Sequence, residues 1–537
     1  MDPQGHTPAR RFGPGRRSFI GLAAGGVALG AVPVLTARAS SSDAPAPVDD
    51  PSGATTPAAV TYRPVYHHSV PDEWKNDPQR PLLIDGTFHY YYLYNADYSA
   101  DGEGTAWRRA TSTDLVTFVD QGVSIPKDTT PAGDVWSGCA VLDPDDTAGF
   151  GAGAVVALVT MEPVEGADTQ AQYLWYSTDG GRSFVSHSDD PVLANPGVRD
   201  FRDPKLIWDA EHGRWVQLLT ENNKVGFYVS PDLRDWTYVS GFIRDGIGVL
   251  ECPDLFVIET ADGEARWVLG VSANGKAAGL PNTYAYWIGS FDGETFTPEA
   301  VEPRWLDHGF DWYGAVTWEK YTDLDTGALD PTTRYAIGWM NNWDYPHNTP
   351  TLQSDGFNGT DSIVREITLG RDGDGQFVLL SRPVDTLDGR VARTIDLGDQ
   401  TVDGELVLDY TGVAYELRTQ VRWEQLTTLG VQLRRSADGG GHVDVGVHED
   451  YAFLNRGGVP NPDTGGSWQE SRTPFDPGRR EVTLRILVDR ISVELFLDDG
   501  RHVHSHLAFP APEDAGLALF TVGGPATFGG VVIREFD

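Results

Sequence analysis

Three shortages bound what this chain can be. It has two cysteines, Cys139 and Cys252, in 537 residues, so no disulfide framework can carry its fold. Lys and Arg number 41 against 78 Asp and Glu, a formal net charge of −37. That deficit of cations excludes a nucleic-acid backbone or an anionic membrane as partner, since both are held by clustered Lys and Arg. Helical periodicity is nearly absent. The one long apolar run, Leu22 to Leu35, is too short and too rich in glycine to make a stable membrane span.

That run has a different meaning. Arg16-Arg17-Ser18-Phe19-Ile20 precedes it and Ala37-Arg38-Ala39 follows it, the pattern of a twin-arginine export signal with an A-x-A cleavage site. Residues 1–39 are therefore expected to be a signal peptide and the mature protein to be secreted, with no membrane partner. Residues 40–60, rich in Ser, Ala, Pro and Asp, have little to bury and read as a flexible linker.

Beyond the linker, five strand openings share one plan: Asn76-Asp77-Pro78, Trp136-Ser137-Gly138, Phe201-Arg202-Asp203-Pro204, Glu251-Cys252-Pro253 and Asp311-Trp312-Tyr313. They recur every 50 to 65 residues or so, a period that signals a repeat architecture. Three carry a carboxylate within two residues of a proline. A second signature recurs in phase, Ser112-Thr113-Asp114-Leu115, Ser177-Thr178-Asp179-Gly180, Ser230-Pro231-Asp232-Leu233 and Ser290-Phe291-Asp292-Gly293, each reading as a polar turn between outer strands. The expected fold is all-β: a five-bladed β-propeller over 61–388, whose inner strands bring distant residues to one mouth. From about Thr394, runs such as Tyr415 to Val421 and Glu481 to Val488 alternate or stay apolar over strand lengths, so a β-sandwich is expected over 389–537. Asp323-Asp325-Gly327 and Asp372-Asp374 lack the distal glutamate of a calcium loop. His502, His504 and His506 share a strand face without an acidic or cysteine partner nearby. No metal or cofactor is expected.

Carboxylates converging at one mouth are what glycoside hydrolysis needs. WKNDP at 74–78, Trp136-Ser137-Gly138, Phe201-Arg202-Asp203-Pro204-Lys205, Glu251-Cys252-Pro253, Asp311-Trp312-Tyr313-Gly314-Ala315 and Val488-Asp489-Arg490-Ile491-Ser492-Val493-Glu494-Leu495-Phe496 together resemble glycoside hydrolase family 32 over nearly the whole mature chain. The resemblance implies a retaining mechanism on β-fructofuranosides without a cofactor, with Asp77 as nucleophile, Glu251 as general acid/base and Asp203 as stabiliser of sugar hydroxyls. It also implies substrate contacts from Trp74, Asn76, Gln79, Trp136, Ser137, Arg202, Cys252 and Asp311, to which Trp343 adds a stacking face. A retaining site needs one ionised and one protonated carboxyl group. The polar Asn76 beside Asp77, against Leu250 and Cys252 around Glu251, points the two acids in those directions. Cys252 is expected to be a free thiol beside the acid rather than bridged to Cys139.

Departures from the family pattern bear on substrate. Gln79-Arg80 stands where Asn-Gly is usual, Leu93 where many members have Gln, and Trp107-Arg108-Arg109 where Trp-Gly-His is usual. Arg80, Arg108 and Arg109 are expected at the pocket rim, with Tyr90 to Tyr94 and Trp343 as stacking faces, and the expected substrate is a fructan, levan (β-2,6) foremost. Hydrolysis of levan, transfer to a hydroxyl of the same fructan with release of a cyclic difructose, inulinase or invertase action, an inverting arabinan-cleaving propeller and a non-catalytic sugar-binding propeller remain as alternatives. The three intact acids weigh against the last.

Overall fold

A computed structural model describes residues 61–98, 104–162 and 169–537. The signal and linker expected over 1–39 and 40–60 lie outside the described residues. Strand dominates, and helix among the described residues is confined to one α-helical turn, Thr351–Asp355, and three short 3-10 turns.

The N-terminal part forms five sheets, antiparallel except for one two-residue edge strand. Their first strands are β1 (Glu73–Pro78), β2 (Asp134–Asp143), β3 (Phe201–Asp209), β4 (Leu250–Glu259) and β5 (Tyr313–Asp323), so each expected module does open a sheet. Second strands such as Ala154–Glu162 (AVVALVTME) and Arg214–Glu221 are nearly continuous apolar runs, the composition of a strand covered on both faces. The outermost strands, Val119–Ile125 and Thr237–Ile243, are largely exposed. The Ser-x-Asp signature closes the turn between third and fourth strands. Asp114 accepts from the N–H of Val116 at 2.9 Å and of Thr117 at 2.7 Å, and Asp232 and Asp292 do the same in their own turns. Asp323 and Asp372, weighed above as calcium ligands, are likewise occupied in capping turns.

One irregularity repeats in all five first strands. The register against the second strand slips by one residue between Lys75 and Pro78, Val135 and Gly138, Arg202 and Lys205, Glu251 and Asp254, and Tyr313 and Val316. Each slip is a β-bulge, an extra residue that bends the strand and re-aims its side chains. The prolines of the sequence motifs now have a reason: inside a sheet, a residue without an N–H fits best at a bulge. The two-residue strand Phe357–Asn358 pairs in parallel with β1 and so ties the fifth module's chain back to the first sheet.

The C-terminal part is two six-stranded sheets with a single apolar core between them, built from Leu417, Leu484 and Ile486 of one and Leu429, Val431 and Leu519 of the other. The 488–496 motif is the seam to the N-terminal part. Asp489 accepts from the N–H of Val65 at 2.9 Å and Tyr66 at 3.1 Å, and Glu494 from the N–H of Ile363 at 2.9 Å. Buried His67 bridges them, 3.0 Å from Asp489 and 2.9 Å from Glu494. Burial alone pulls the imidazole down, but the two carboxylates more than reverse this and raise it to about 9. In the unfolded chain His67 deprotonates near pH 6.5, so its contribution is complete below that pH and is lost as pH rises to about 9. Stability is therefore expected to fall by something on the order of 3 kcal/mol across this window. Thermal melts of wild type and His67→Gln at stepped pH check it: the variant should lack this step, and an identical fall in both contradicts it.

Candidate active site

The five bulges place their side chains in two tiers. Arg202, Glu251 and Tyr313 immediately precede the slips in β3, β4 and β5, and they meet: Glu251 Oε1 accepts from Arg202 Nε at 3.1 Å and Nη2 at 3.0 Å, while Oε2 accepts from the Tyr313 hydroxyl. Asp77, Ser137, Asp203 and Cys252 lie within the bulges and also meet. Ser137 Oγ donates to Asp77 Oδ2 at 2.6 Å, the Cys252 N–H donates to Asp203 Oδ2 at 3.0 Å, and the Cys252 thiol lies 3.8 Å from both carboxylates. Asp203 and Cys252 adopt φ of +63° and +47°, left-handed backbone that non-glycine residues rarely take and that collects at functional sites.

Five of these seven residues, Asp77, Ser137, Arg202, Asp203 and Glu251, line a pocket of about 510 Å³ that also includes Trp74, Asn76, Trp136 and Trp343. Tyr313 and Cys252 back it without lining it, so the substrate contact expected of Cys252 is not among its walls. Asp77 Oδ1 is buried there without a hydrogen-bond partner. Burial pushes the Asp77 carboxyl up to about 6, with the Ser137 hydrogen bond pulling against it. Burial also raises Asp203, to about 7, with Arg202 opposing and the charges of Glu251 and Asp77 adding to the rise. The guanidinium of Arg202, further held by Asp200 at 2.7 Å, is the cation set among these acids.

Several expectations need correction. The local surroundings read from neighbouring residues need revision: Glu251 faces donors from other strands rather than apolar groups, and burial raises Asp77. Cys252 is a free thiol, as is Cys139, but strand geometry turns it toward Asp77 and Asp203 instead of Glu251. Gln79 does not line the pocket; it is buried, donating to the Asp77 carbonyl at 3.1 Å and accepting from the Gly138 N–H at 2.8 Å, so it braces two bulges. Asp311 is fully buried and taken up by Arg456 at 2.6 Å, the Leu507 N–H at 2.7 Å and Tyr345 at 2.8 Å, which leaves no atom for a sugar. Arg80 is buried away from the rim, donating to the Pro253 carbonyl at 2.6 Å beside Asp254. Arg108 pairs with Asp72 and Asp120, Arg109 contacts His89, and Tyr90, Tyr91 and Tyr92 are core residues.

Leu93, noted as a departure bearing on substrate, does line the pocket, and in place of the others the structure brings Asn95, Tyr98, Gln170, Arg199 and His347. Arg199, 70% exposed and 4.0 Å from Asp200, is the rim arginine. Tyr313 was within reach of sequence reasoning, because it occupies in its motif the place that Arg202 and Glu251 occupy in theirs. Gln170, Arg199 and His347 sit in loops where no repeat marks them.

An open pocket with paired acids, a stabilising cation and aromatic walls defines a glycoside hydrolase. The profile of the glycosyl hydrolases family 32 N-terminal domain matches residues 67–383 and that of the family's C-terminal domain residues 384–535, and the chain belongs to this family. It is 49% identical over 479 residues, covering 89% of this chain and 91% of the relative, to a levanbiose-producing levanase of Bacillus subtilis. A levanbiose-producing levanase of Geobacillus stearothermophilus is 50% identical over 403 residues, 74% of this chain and all of the relative. Among solved structures, an exo-inulinase of Aspergillus awamori superposes with a TM-score of 0.77 at 27% identity, covering 89% of this chain and 98% of that one.

Gly314, in the fifth bulge, has a φ of +58°, and a Cβ there would stand 2.8 Å from Asp77 Oδ1. Gly314→Ala is therefore expected to fold but to lose about 10²-fold in kcat, the scale of a misplaced reacting group. Steady-state kinetics beside a melting curve test this; unchanged turnover would mean that Asp77 needs no such clearance.

Proposed function

We propose that the five N-terminal sheets are the blades of a β-propeller, that the two C-terminal sheets form a β-sandwich, and that the enzyme hydrolyses the β-2,6 linkages of levan with retention of configuration. The five in-phase bulges, which bring residues of four first strands to one pocket and Gly314 of the fifth against Asp77, support the propeller. The observation that carries the chemistry is Asp77, with one oxygen held by Ser137 and the other buried, unpartnered and facing the glycine gap at Gly314.

Asp77 attacks the anomeric carbon of the fructosyl unit as Glu251 gives its proton to the departing glycosidic oxygen. A fructosyl ester on Asp77 results. Glu251, now a carboxylate, takes a proton from water, whose oxygen displaces Asp77 and leaves a β-fructosyl product. Asp203, one oxygen fixed by the Cys252 N–H, holds sugar hydroxyls as positive charge develops on the ring. The likeness to two levanbiose-producing levanases supports levan as the substrate and levanbiose as product. The Arg16-Arg17 leader supports secretion, which suits a polymer that cannot enter the cell.

Three outcomes are expected. Glu251→Gln should lower kcat by about 10² to 10⁴, the usual scale for a proton-transfer group, and Asp77→Asn should be inactive with an unaltered melting curve; a tenth of wild-type turnover in Asp77→Asn would remove it as nucleophile. The acid limb of kcat/KM should have its midpoint at about pH 6, since Asp77 must be ionised to attack. Ser137→Ala, which deletes the bond favouring the ionised form, should move that limb to higher pH, and a shift to lower pH contradicts the assignment. With levan, inulin and sucrose supplied separately, levan should be cleaved fastest and give levanbiose first seen as the β-anomer by proton NMR. Faster cleavage of inulin or sucrose overturns the substrate, and a non-reducing cyclic product shows transfer instead of hydrolysis.

A further inference from the structure

We propose that Arg456, from the C-terminal part, is a positioning residue for the fructan-binding rim: through Asp311 and Tyr345 it fixes the segment 341–349, which carries Trp343 and His347 to the pocket. The inference rests on the fructan reading above and adds to it a determinant of substrate length that lies outside the five N-terminal sheets.

The segment between Trp339 and Thr351 contains no strand or helix, and its internal backbone bonds are few, Asn341 N–H to Trp339 and Asn348 N–H to Tyr345 among them. Side-chain anchors set its path. Asn342 Nδ2 donates to the Phe310 carbonyl at 2.8 Å, Asn348 Nδ2 to the Pro462 carbonyl at 3.1 Å, and Asp344 pairs with Lys276 at 3.0 Å. Tyr345 is the deep anchor. Its hydroxyl donates to Asp311 Oδ1 and accepts from Arg456 Nη2, each at 2.8 Å.

Arg456 completes the clamp from across the seam. Nη1 donates to Asp311 Oδ2 at 2.6 Å and to the Leu507 carbonyl at 2.8 Å, and Nε to the Trp468 carbonyl at 3.0 Å. The side chains of Arg456 and Asp311 are wholly buried. An ion pair so placed adds little net stability, because the cost of removing both charges from water offsets their attraction. What it does supply is direction: a planar fork meets four acceptors at fixed angles, which the single ammonium of lysine cannot do. The consequence falls on Trp343, 42% exposed beside Trp339, and on His347, whose ring lies 5.3 Å from Trp74. Both line the pocket, on a segment that the N-terminal sheets reach through side chains alone, Asn358 Nδ2 donating to the Pro346 carbonyl at 3.1 Å and Tyr98 meeting His347.

The further units of a polymer need this rim, whereas sucrose has a single residue on each side of its bond and loses little when the rim shifts. The experiment measures kcat and KM for levan and for sucrose in wild type, Arg456→Lys, Tyr345→Phe, Trp343→Ala and Trp343→Ala/Arg456→Lys, each with a melting curve. Arg456→Lys is expected to raise KM for levan about tenfold, with kcat and the sucrose kcat/KM within about twofold of wild type. Tyr345→Phe, which keeps the ring and removes the hydroxyl, should shift KM for levan in the same direction by less. On the Trp343→Ala background Arg456→Lys should add almost nothing, since the two then act through one element. An unchanged KM for levan, an equal proportional loss on both substrates, or a full effect persisting without Trp343 would each overturn the proposal. Wild-type enzyme that cleaves inulin and not levan contradicts the substrate reading alone, and the same comparison made with inulin then decides the role of Arg456.

Discussion

The site depends on one constraint met five times: a single extra residue in each first strand. A regular strand alternates its side chains across two faces, so neighbours such as Arg202 and Asp203, or Glu251 and Cys252, would point apart. The bulge breaks that alternation: Arg202 and Asp203 both line the pocket, and Cys252 reaches Asp203 and Asp77 while Glu251 lines the pocket beside them. The cost is left-handed backbone at Asp203, Cys252 and Gly314. At the first two a side chain that meets the cluster of acids is kept in spite of the strain, and at the third glycine avoids both the strain and a collision with Asp77. Gln79 ties two bulges together by bonding to the backbone of both Asp77 and Gly138.

Electrostatics follows from that crowding. Asp77 and Asp203 are buried within reach of Glu251, so burial and like charge raise them, and Arg202 limits the rise. Three residues after Glu251 on the same strand, Asp254 shows the opposite case. It is equally buried, yet Lys205 at 3.2 Å, Arg80 at 3.6 Å and the Thr317 hydroxyl hold it far below the usual carboxylate range. Lys205 and Arg80 are thus occupied at Asp254, leaving Arg202 as the cation among the pocket acids, and Asp77 and Asp203 keep the raised values that chemistry at moderate pH requires.

What could be read from the sequence was whatever the repeat imposed. The five openings, the Ser-x-Asp turns and the three acids recur in phase, and periodicity of that kind survives without coordinates. The all-β character was legible for the same reason, from apolar runs of strand length. The environment of each acid was not, because Glu251 takes its surroundings from Arg202 and Tyr313 on other strands and not from Leu250 and Cys252 beside it. Arg80 failed as a rim residue because its partners, the Pro253 carbonyl and Asp254, lie far away in sequence on another first strand and draw it inward. Asp311 belonged to a motif shared with the site, yet it serves the seam, where its partner Arg456 comes from 145 residues away in sequence. Loop residues such as Arg199 and His347 carry no period at all.

The central claim is that this geometry makes Asp77 the residue that bonds to sugar. The most direct measurement uses Glu251→Gln with β-fructosyl fluoride, whose leaving group needs no acid, so the fructosyl ester forms and its hydrolysis, lacking a base, is slow. Mass spectrometry of the acid-quenched protein and its peptides should then find one fructosyl unit on the peptide containing Asp77. A fructosyl unit on Asp203, or turnover of the fluoride with no labelled carboxylate at any time point, would contradict the account.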